Sequence, residues 1–134
     1  MRMSEESIFT KIIKGELPCH KVYEDERTIA FMDIHPIQPG HVLVVSKTQV
    51  PTFVDLDEED ATAFWHTVRK VGRRLQVVFP NKKRVGLMIE GLDVPHVHAT
   101  LLPIDSGEQF RAEPDVSAEP DHAALAELSK RIAF

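Results

Sequence analysis

The 134-residue sequence has one cysteine, one tryptophan and one tyrosine, and it contains no long apolar run. The single cysteine, Cys19, excludes an internal disulfide framework and gives no reason to expect secretion. No run approaches the roughly 20 apolar residues that a membrane-spanning helix needs. The N-terminal M-R-M-S-E-E-S also lacks the apolar segment of a signal peptide. We therefore expect a cytoplasmic protein with no membrane partner.

The sequence also has no excess of positive charge, because it contains 16 basic and 21 acidic side chains. Most of the imbalance lies after residue 104, where seven acidic residues outnumber three basic ones. The remaining body is close to neutral, which argues against the broad basic surface of a nucleic-acid-binding protein. A site for one small anion is still compatible with this distribution, and the length predicts one domain.

Local patterns predict an α+β protein with an antiparallel sheet, because most of the strands follow one another in sequence. Strand signals cover residues 20–24, 28–32, 41–46, 84–90 and 96–102, and helix signals cover residues 4–14, 57–79 and 121–134. Ser4 and Asp57 are N-cap candidates. We divide the chain into a domain over residues 1–104 and an acidic extension over residues 105–134. The extension combines an irregular arm with a short helix, as part of the same domain or as an arm of a dimer.

The long helix at 57–79 has an apolar stripe and a basic cluster. The stripe predicts a buried face, and its members are Ala61, Phe64, Trp65, Val68, Val71, Leu75 and Val78. The basic cluster predicts a solvated face, and its members are Arg69, Lys70, Arg73 and Arg74.

The stretch V-P-H-V-H-A-T-L-L-P at residues 94–103 holds the main candidate site residues. On a strand, His96, His98 and Thr100 lie on one face because side chains two residues apart point the same way. The neighbours of His98 are apolar, and partial desolvation there lowers the pKa of an imidazole and keeps it neutral. His41 begins another strand expected at the centre of the sheet. If the two strands pair, three histidines should converge.

Three chemistries fit these side chains, and the residues alone leave them open. A metal site could use the two histidines with His41 and a carboxylate. A neutral imidazole could attack phosphorus, or the group could bind a phosphate without reaction. In the loop D-I-H-P, Asp33 lies between Phe31 and Ile34 and could accept hydrogen bonds from ribose hydroxyls while a base lies on apolar walls. A simple turn aspartate is an equal alternative.

Three segments resemble the histidine triad (HIT) superfamily. They are S-I-F-T-K-I-I-K-G-E-L-P, then Y-E-D-E-R-T-I-A-F-M-D-I-H-P-I-Q-P-G-H-V-L-V-V-S-K, then E-G-L-D-V-P-H-V-H-A-T-L-L-P, in order from about residue 7 to residue 103. The resemblance implies a five-stranded antiparallel sheet with one long and one short helix, usually in a homodimer. It also implies hydrolysis or transfer at the α-phosphorus of a purine nucleotide or nucleotide conjugate, with no cofactor.

The resemblance also implies roles for individual residues. In the family motif His-φ-His-φ-His-φ-φ, where φ is apolar, the middle histidine forms a nucleotidyl-histidine intermediate, and that place is His98. The backbone carbonyl of His96 would orient the other ring nitrogen of His98. His41 matches an upstream histidine on the phosphate side, and Asp33 matches the ribose-binding acid. The positions that wall the base match Phe9, Ile12, Leu17, Phe31 and Ile34. These matches favour the two phosphate chemistries over the metal site.

The third histidine of the family motif is replaced here by Thr100. In the family that histidine contacts phosphate and helps to protonate the leaving group, whereas threonine cannot act as an acid near neutral pH. Loss of a general acid typically costs about 10²–10⁴-fold in rate. A distant superfamily member, galactose-1-phosphate uridylyltransferase, has glutamine at this place and transfers nucleotides. Transfer, weak hydrolysis and a sensor or scaffold that only binds nucleotide therefore all stay open.

Two other departures concern the phosphate contacts and a metal. The link between Gly91 and His96 is only L-D-V-P, as in a bacterial subgroup. Ile89 stands near the place where eukaryotic members have a polar residue that contacts phosphate. Phosphate binding here would therefore depend on Thr100, His41 and backbone groups. Many bacterial members hold a structural zinc through Cys-x-x-Cys and a histidine, and the matching residues here are Ser7, Thr10 and Gln49. We therefore predict that no metal is bound.

Overall fold

The computed structural model describes residues 5–134 and contains one five-stranded antiparallel sheet. The strands, in the spatial order β1-β2-β3-β5-β4, are β1 (Lys21–Glu24), β2 (Thr28–Met32), β3 (Val42–Ser46), β4 (Arg84–Met88) and β5 (His98–Ile104). The helices are α1 (Ile8–Ile13), α2 (Glu58–Val78), α3 (Gly107–Arg111) and α4 (His122–Ile132), with a 3₁₀ turn at Phe53–Asp55. The predicted α+β fold with a five-stranded antiparallel sheet is confirmed.

Strand β3 lies at the centre of the sheet because its sequence, V-L-V-V-S, is apolar on both faces. All five of its residues are buried, and it pairs with β2 on one side and β5 on the other. In the pairing with β5, Val45 lies opposite His98 and Leu43 lies opposite Thr100. Residues directly opposite each other in an antiparallel pair share a face of the sheet. This register therefore fixes which apolar side chains lie beside the candidate site.

The two faces of the sheet carry separate apolar clusters. The α2-side cluster includes Phe64, Val68, Val71 and Leu75 of the long helix, packed against Val44, Ala99 and Leu101 of the sheet. The α1-side cluster consists of Phe9, Ile29, Phe31, Leu43 and Val45, with Ile12, Ile13, Cys19 and Val94 packed against it. Each fully buried Leu or Val side chain contributes roughly 1.5–3 kcal/mol. The α2-side cluster is the larger core, and the candidate site lies on the α1 side.

Two features of the long helix differ from the sequence prediction. Trp65 was expected in the buried stripe, but it is half exposed because it lies one residue, or 100°, away from buried Phe64. Arg74 was expected on the solvated face, but its guanidinium donates hydrogen bonds to the carbonyls of Arg131 and Ile132 at the end of α4. The predicted N-cap is confirmed, since the Asp57 carboxylate accepts a hydrogen bond from the backbone N–H of Asp60.

Helix α1 begins later than predicted. Ser4, the expected N-cap, lies outside the described residues, and the helix starts at Ile8. Ser7 is its N-cap, with Oγ accepting from the backbone N–H of Thr10 at 3.0 Å. Residues 5–7, which precede the helix, are not helical.

Strand β5 also begins later than predicted, at His98 instead of residue 96, and it continues to Ile104 instead of residue 102. The N–H of His96 donates to the Val94 carbonyl, and the N–H of Val97 donates to the Val50 carbonyl. Both groups are therefore engaged outside the sheet. His96 lies in a bend before the strand, and its burial cannot be read from strand alternation.

The extension after residue 104 contains more structure than the predicted irregular arm. Helix α3 places the Phe110 ring over Gly86, where a Cβ atom would come within 2.6 Å of Phe110 Cδ1. Helix α4 buries Leu125 and Ile132 in the α2-side cluster. The division at residue 105 stays a prediction, but through these contacts both helices pack against the sheet domain.

None of the helices within residues 5–134 has the length and apolar character required to cross a membrane.

Candidate functional site

His98 is the first residue of β5, and its side chain is half buried. Its Nδ1 is 2.7 Å from the backbone carbonyl oxygen of His96. A carbonyl can only accept, so this contact requires the proton on Nδ1. In the neutral ring, Nε2 then carries the free lone pair and is the nucleophilic nitrogen. The contact is the one implied by the family resemblance, while the role of His98 as nucleophile stays a prediction.

His96 is fully buried, and both of its ring nitrogens have partners. Nε2 lies 2.6 Å from the carbonyl oxygen of Ser46, which requires a proton on Nε2. Nδ1 lies 2.6 Å from the hydroxyl of Ser7. Burial lowers the pKa of His96, the Ser46 carbonyl opposes this effect, and nearby His98 adds to it. The ring is therefore held neutral and cannot itself contact a substrate.

His41 and Asp33 form a second group at the other end of β3. His41 Nδ1 accepts a hydrogen bond from the N–H of Ile37 at 3.1 Å, so its proton is on Nε2. That Nε2 is buried without a hydrogen-bond partner, 3.5 Å from Asp33 Oδ2. Burial lowers the pKa of His41, and the Asp33 charge opposes the shift. Asp33 accepts from the N–H of His35 at 2.8 Å and keeps part of its carboxylate exposed.

The predicted convergence of three histidines is wrong. Strands β3 and β5 do pair, but His41 lies four residues before Val45, the partner of His98. Four residues of strand span about 13 Å, so His41 joins Asp33 instead of the other two histidines. Within residues 5–134, no three His, Cys, Asp or Glu side chains come together as a metal site. The metal alternative built on these histidines therefore has no supporting geometry.

Thr100 lies two residues after His98 on the same face of β5, half buried. Its neighbours across the sheet are Leu43 on β3 and Met88 on β4. The separation along the strand from His98 is about 7 Å, which a bound phosphate with its leaving group can span. Its hydroxyl can donate one hydrogen bond to such a group but cannot supply a proton as an acid.

The apolar residues expected to wall a base fall into two groups, while Ile89 was expected near the phosphate. Phe9 and Phe31 meet edge to face at 5.7 Å, but they are only 7% and 3% exposed, and Ile12 packs beside them. They therefore form the floor of the site more than its walls. Leu17 and Ile34 are 37% and 42% exposed, so their side chains are free to contact a ligand. Ile89 packs against the α2-side cluster, so the structure does not bring this predicted residue to the site.

Sequence reasoning missed the groups around the His96 ring, which are the Ser46 carbonyl, the hydroxyls of Ser7 and Thr10, and the Gln49 side chain bonded to Thr10. The family resemblance gave Ser7, Thr10 and Gln49 only as positions where family members have metal ligands. The spacing Ser7-x-x-Thr10 at a helix start was the available signal, since such residues commonly bond to the backbone or to each other.

Comparison with known proteins gives consistent matches. The HIT domain family model matches residues 14–107. The chain is 35% identical over 120 residues to Protein hit of Bacillus subtilis, covering 84% of this chain and 81% of that protein. It is 32% identical over 112 residues to the purine nucleoside phosphoramidase of Escherichia coli, covering 75% and 88%. The structure of a HIT-like protein from Bartonella henselae superposes with a TM-score of 0.81 at 29% identity, covering 98% and 97%.

Proposed function

The chain belongs to the HIT domain family, and from this premise we propose that it transfers the nucleotidyl group of a purine nucleotide conjugate through His98. The observation that carries the proposal is the 2.7 Å contact between His98 Nδ1 and the His96 carbonyl. This contact places the proton on Nδ1, so that the lone pair of the neutral ring is on Nε2 and has a fixed direction. Relatives include an enzyme named as a purine nucleoside phosphoramidase, which supports a phosphoramidate as the first substrate to test.

In the first step, the His98 Nε2 lone pair attacks the α-phosphorus and forms a P–N bond. The bond from phosphorus to the leaving oxygen or nitrogen breaks, and the leaving group departs with the electron pair. The imidazole becomes cationic, and its Nδ1–H donates a stronger hydrogen bond to the His96 carbonyl. The leaving group takes its proton from water, because Thr100 can only donate a hydrogen bond to it.

In the second step, water attacks the same phosphorus and the P–N bond breaks. The imidazole departs with the electron pair and is neutral again, and the proton of the attacking water passes to solvent. Replacing water by another hydroxyl gives transfer instead of hydrolysis. Half-burial of His98 limits the access of water but does not prevent it, so both hydrolase and nucleotidyltransferase activity are compatible with this site.

The ribose and base would bind at the other end of β3. The Asp33 carboxylate is partly exposed and held by the N–H of His35, with His41 Nε2 facing it at 3.5 Å. A carboxylate in this position can accept hydrogen bonds from two vicinal hydroxyls. The exposed side chains of Leu17 and Ile34 offer apolar surface to a purine.

We expect Asp33→Ala to weaken nucleotide binding by about 10-fold or more, because a hydrogen bond to a charged group contributes about 1.5–3 kcal/mol. Titration calorimetry with AMP and with 2′,3′-dideoxy-AMP would measure this effect. The wild type should prefer AMP, and Asp33→Ala should bind both ligands equally. Glu127→Ala, which removes an exposed acid from α4, is the matched control for the change in charge. Equal affinity of the wild type for the two ligands would remove Asp33 from the proposed site.

The alternative function is a nucleotide sensor or scaffold without efficient turnover, and Thr100 is the residue that favours it. Both functions predict nucleotide binding. They differ in the fate of a phosphoramidate incubated with excess protein, which chromatography follows directly. Conversion to nucleoside monophosphate supports the enzyme, and binding without conversion supports the sensor.

We also propose a homodimer formed through α2 and β4. Strand β4 lies at an edge of the sheet, where its outward backbone groups can pair with another strand. The exposed apolar side chains Leu87 and Met88 of β4 and Trp65 of α2 would be covered in such a dimer. We expect sedimentation equilibrium to give twice 15.2 kDa, and Leu87→Glu to give monomers. A monomeric wild type at tens of micromolar would contradict the dimer.

A further inference from the structure

Three polar side chains from separate parts of the chain meet at the buried ring of His96. Ser7 and Thr10 come from the start of α1, and Gln49 follows β3. Thr10 Oγ1 donates to Gln49 Oε1 at 2.6 Å, and the N–H of Ser7 donates to the same oxygen at 2.8 Å. The amide nitrogen of Gln49 donates to the Glu5 carbonyl at 2.7 Å. We call the side chains of Ser7, Thr10 and Gln49 the polar brace.

The direction of the hydrogen bonds in the polar brace follows from the partners of His96. Its Nε2 carries the proton because it faces the Ser46 carbonyl, so Nδ1 of the neutral ring is an acceptor. The hydroxyl of Ser7, 2.6 Å away, must then donate to Nδ1, and its oxygen accepts from the N–H of Thr10. The Ser46 carbonyl therefore fixes the tautomer of His96, and the Ser7 hydroxyl of the polar brace satisfies the remaining nitrogen of a ring with no access to water.

The polar brace is linked to His98 through two routes. The first is the backbone, since the carbonyl of His96 accepts from His98 Nδ1 while the N–H of His96 is bonded to Val94. The second is Phe9 on α1, whose ring meets the His96 ring at 5.7 Å and the His98 ring at 4.9 Å between centroids. A displacement of α1 or of the His96 ring would therefore change the direction of the nucleophile.

The residues of the polar brace do not fit the zinc that many bacterial family members hold at these positions. Zinc in proteins is bound by thiolate, imidazole or carboxylate groups. Here the groups beside His96 Nδ1 are the hydroxyls of Ser7 and Thr10, and the Thr10 hydroxyl is already bonded to the Gln49 amide oxygen at 2.6 Å. Neutral hydrogen bonds therefore occupy this place in the fold.

We propose that the polar brace is a metal-free positioning device for catalysis, which acts through His96 to orient the nucleophilic nitrogen of His98. This inference rests on the proposed function, because orientation of His98 matters for rate only if His98 attacks the substrate. Ser7 is the central positioning residue, since its hydroxyl makes the direct contact with His96.

The test compares Ser7→Ala with Ser7→Thr, which keeps the hydroxyl. For Ser7→Ala we expect kcat to fall by about 10–100-fold, because a misplacement of about 1 Å can cost 10²-fold. The KM should change less than threefold, since ribose and base bind elsewhere. In ¹⁵N spectra of histidine-labelled protein without ligand, the tautomer signals of His96 and His98 should change. Ser7→Thr should restore kcat and both sets of signals.

The matched control is Thr67→Val, which removes a buried hydroxyl bonded to Thr28 at 2.7 Å on the α2 side of the sheet. It should lower the melting temperature by a similar amount and leave kcat and the histidine signals unchanged. Thr10→Val provides a second variant if Ser7→Ala does not fold, with the same direction of change in kcat. Unchanged kcat and unchanged His98 signals in Ser7→Ala, or an equal loss of kcat in Thr67→Val, would overturn the inference.

Failure of the proposed function has a different signature. The proposed function is contradicted if the wild type shows no turnover, or if a variant that lacks the His98 imidazole shows full turnover. The ¹⁵N tautomer signals of Ser7→Ala are recorded without substrate, so they report on the polar brace in either case.

Discussion

Replacement of His98 by alanine is expected to lower turnover of a nucleoside phosphoramidate by about 10³-fold or more, because the covalent route disappears with the nucleophile. The remaining reaction would need direct attack by water, because neither of the other two candidate histidines in residues 5–134 is placed to replace His98. His96 is fully buried with both ring nitrogens bonded, and His41 lies at the ribose end of β3 beside Asp33. Product formation is measured by chromatography under single-turnover conditions, with protein in excess.

Measuring nucleotide affinity distinguishes a variant that has lost only the nucleophile from one whose binding site is disrupted. Titration calorimetry should show that His98→Ala binds AMP within a few fold of the wild type, because Asp33 and the apolar contacts are unchanged. His66→Ala removes an exposed histidine of α2 and should retain full turnover as the matched control. Turnover by His98→Ala within 10-fold of the wild type would show that the reaction, if present, does not pass through this residue.

Restoring the third histidine with Thr100→His should raise turnover by about 10²-fold for a leaving group that needs a proton. Thr100 is half buried on the same face as His98, between Leu43 and Met88, so an imidazole at this position would point to the same space. The gain should be largest for an alkyl amine or alcohol and small for a nitrophenol, which departs without protonation. It should also decline above pH ~6.5, where a histidine loses its proton.

The matched comparison for this prediction is Thr100→Gln, which adds a larger hydrogen-bond donor without an acid. It should stay close to the wild type for every leaving group. Equal gains for Thr100→His and Thr100→Gln would assign the effect to hydrogen bonding or shape. No gain with either variant would mean that protonation of the leaving group does not limit this protein.

The sequence was sufficient to predict the central strand, whereas its pairing with the strand of His98 was only a condition. V-L-V-V-S is apolar on both faces, which is typical of a strand covered on both sides, and the structure places it between β2 and β5. Alternation also placed His98 and Thr100 on one face. The same two-residue alternation wrongly included His96 in the strand. The N–H groups of residues 96 and 97 donate to the carbonyls of Val94 and Val50, and the strand therefore begins only at His98. Periodicity records burial along an element but not where its pairing ends.

Contacts between distant parts of the chain could not be predicted from local patterns. Ser7 and His96 are 89 residues apart, and nothing near either residue indicates the other. The same holds for Phe110, which packs over Gly86 from a segment without periodicity. A glycine in a strand indicates a close approach but not the identity of the group that approaches. The family resemblance placed Ser7, Thr10 and Gln49 at one location but described only the ligands that this chain has lost.

The stereochemical course at the α-phosphorus tests the covalent role of His98 most directly. A nucleoside phosphorothioamidate of known configuration is hydrolysed in ¹⁸O-labelled water, and the configuration of the product is read by ³¹P NMR. Each in-line displacement inverts the phosphorus centre, so attack by His98 followed by attack by water predicts overall retention. Overall inversion would show a single direct attack by water and would contradict the nucleotidyl-histidine intermediate.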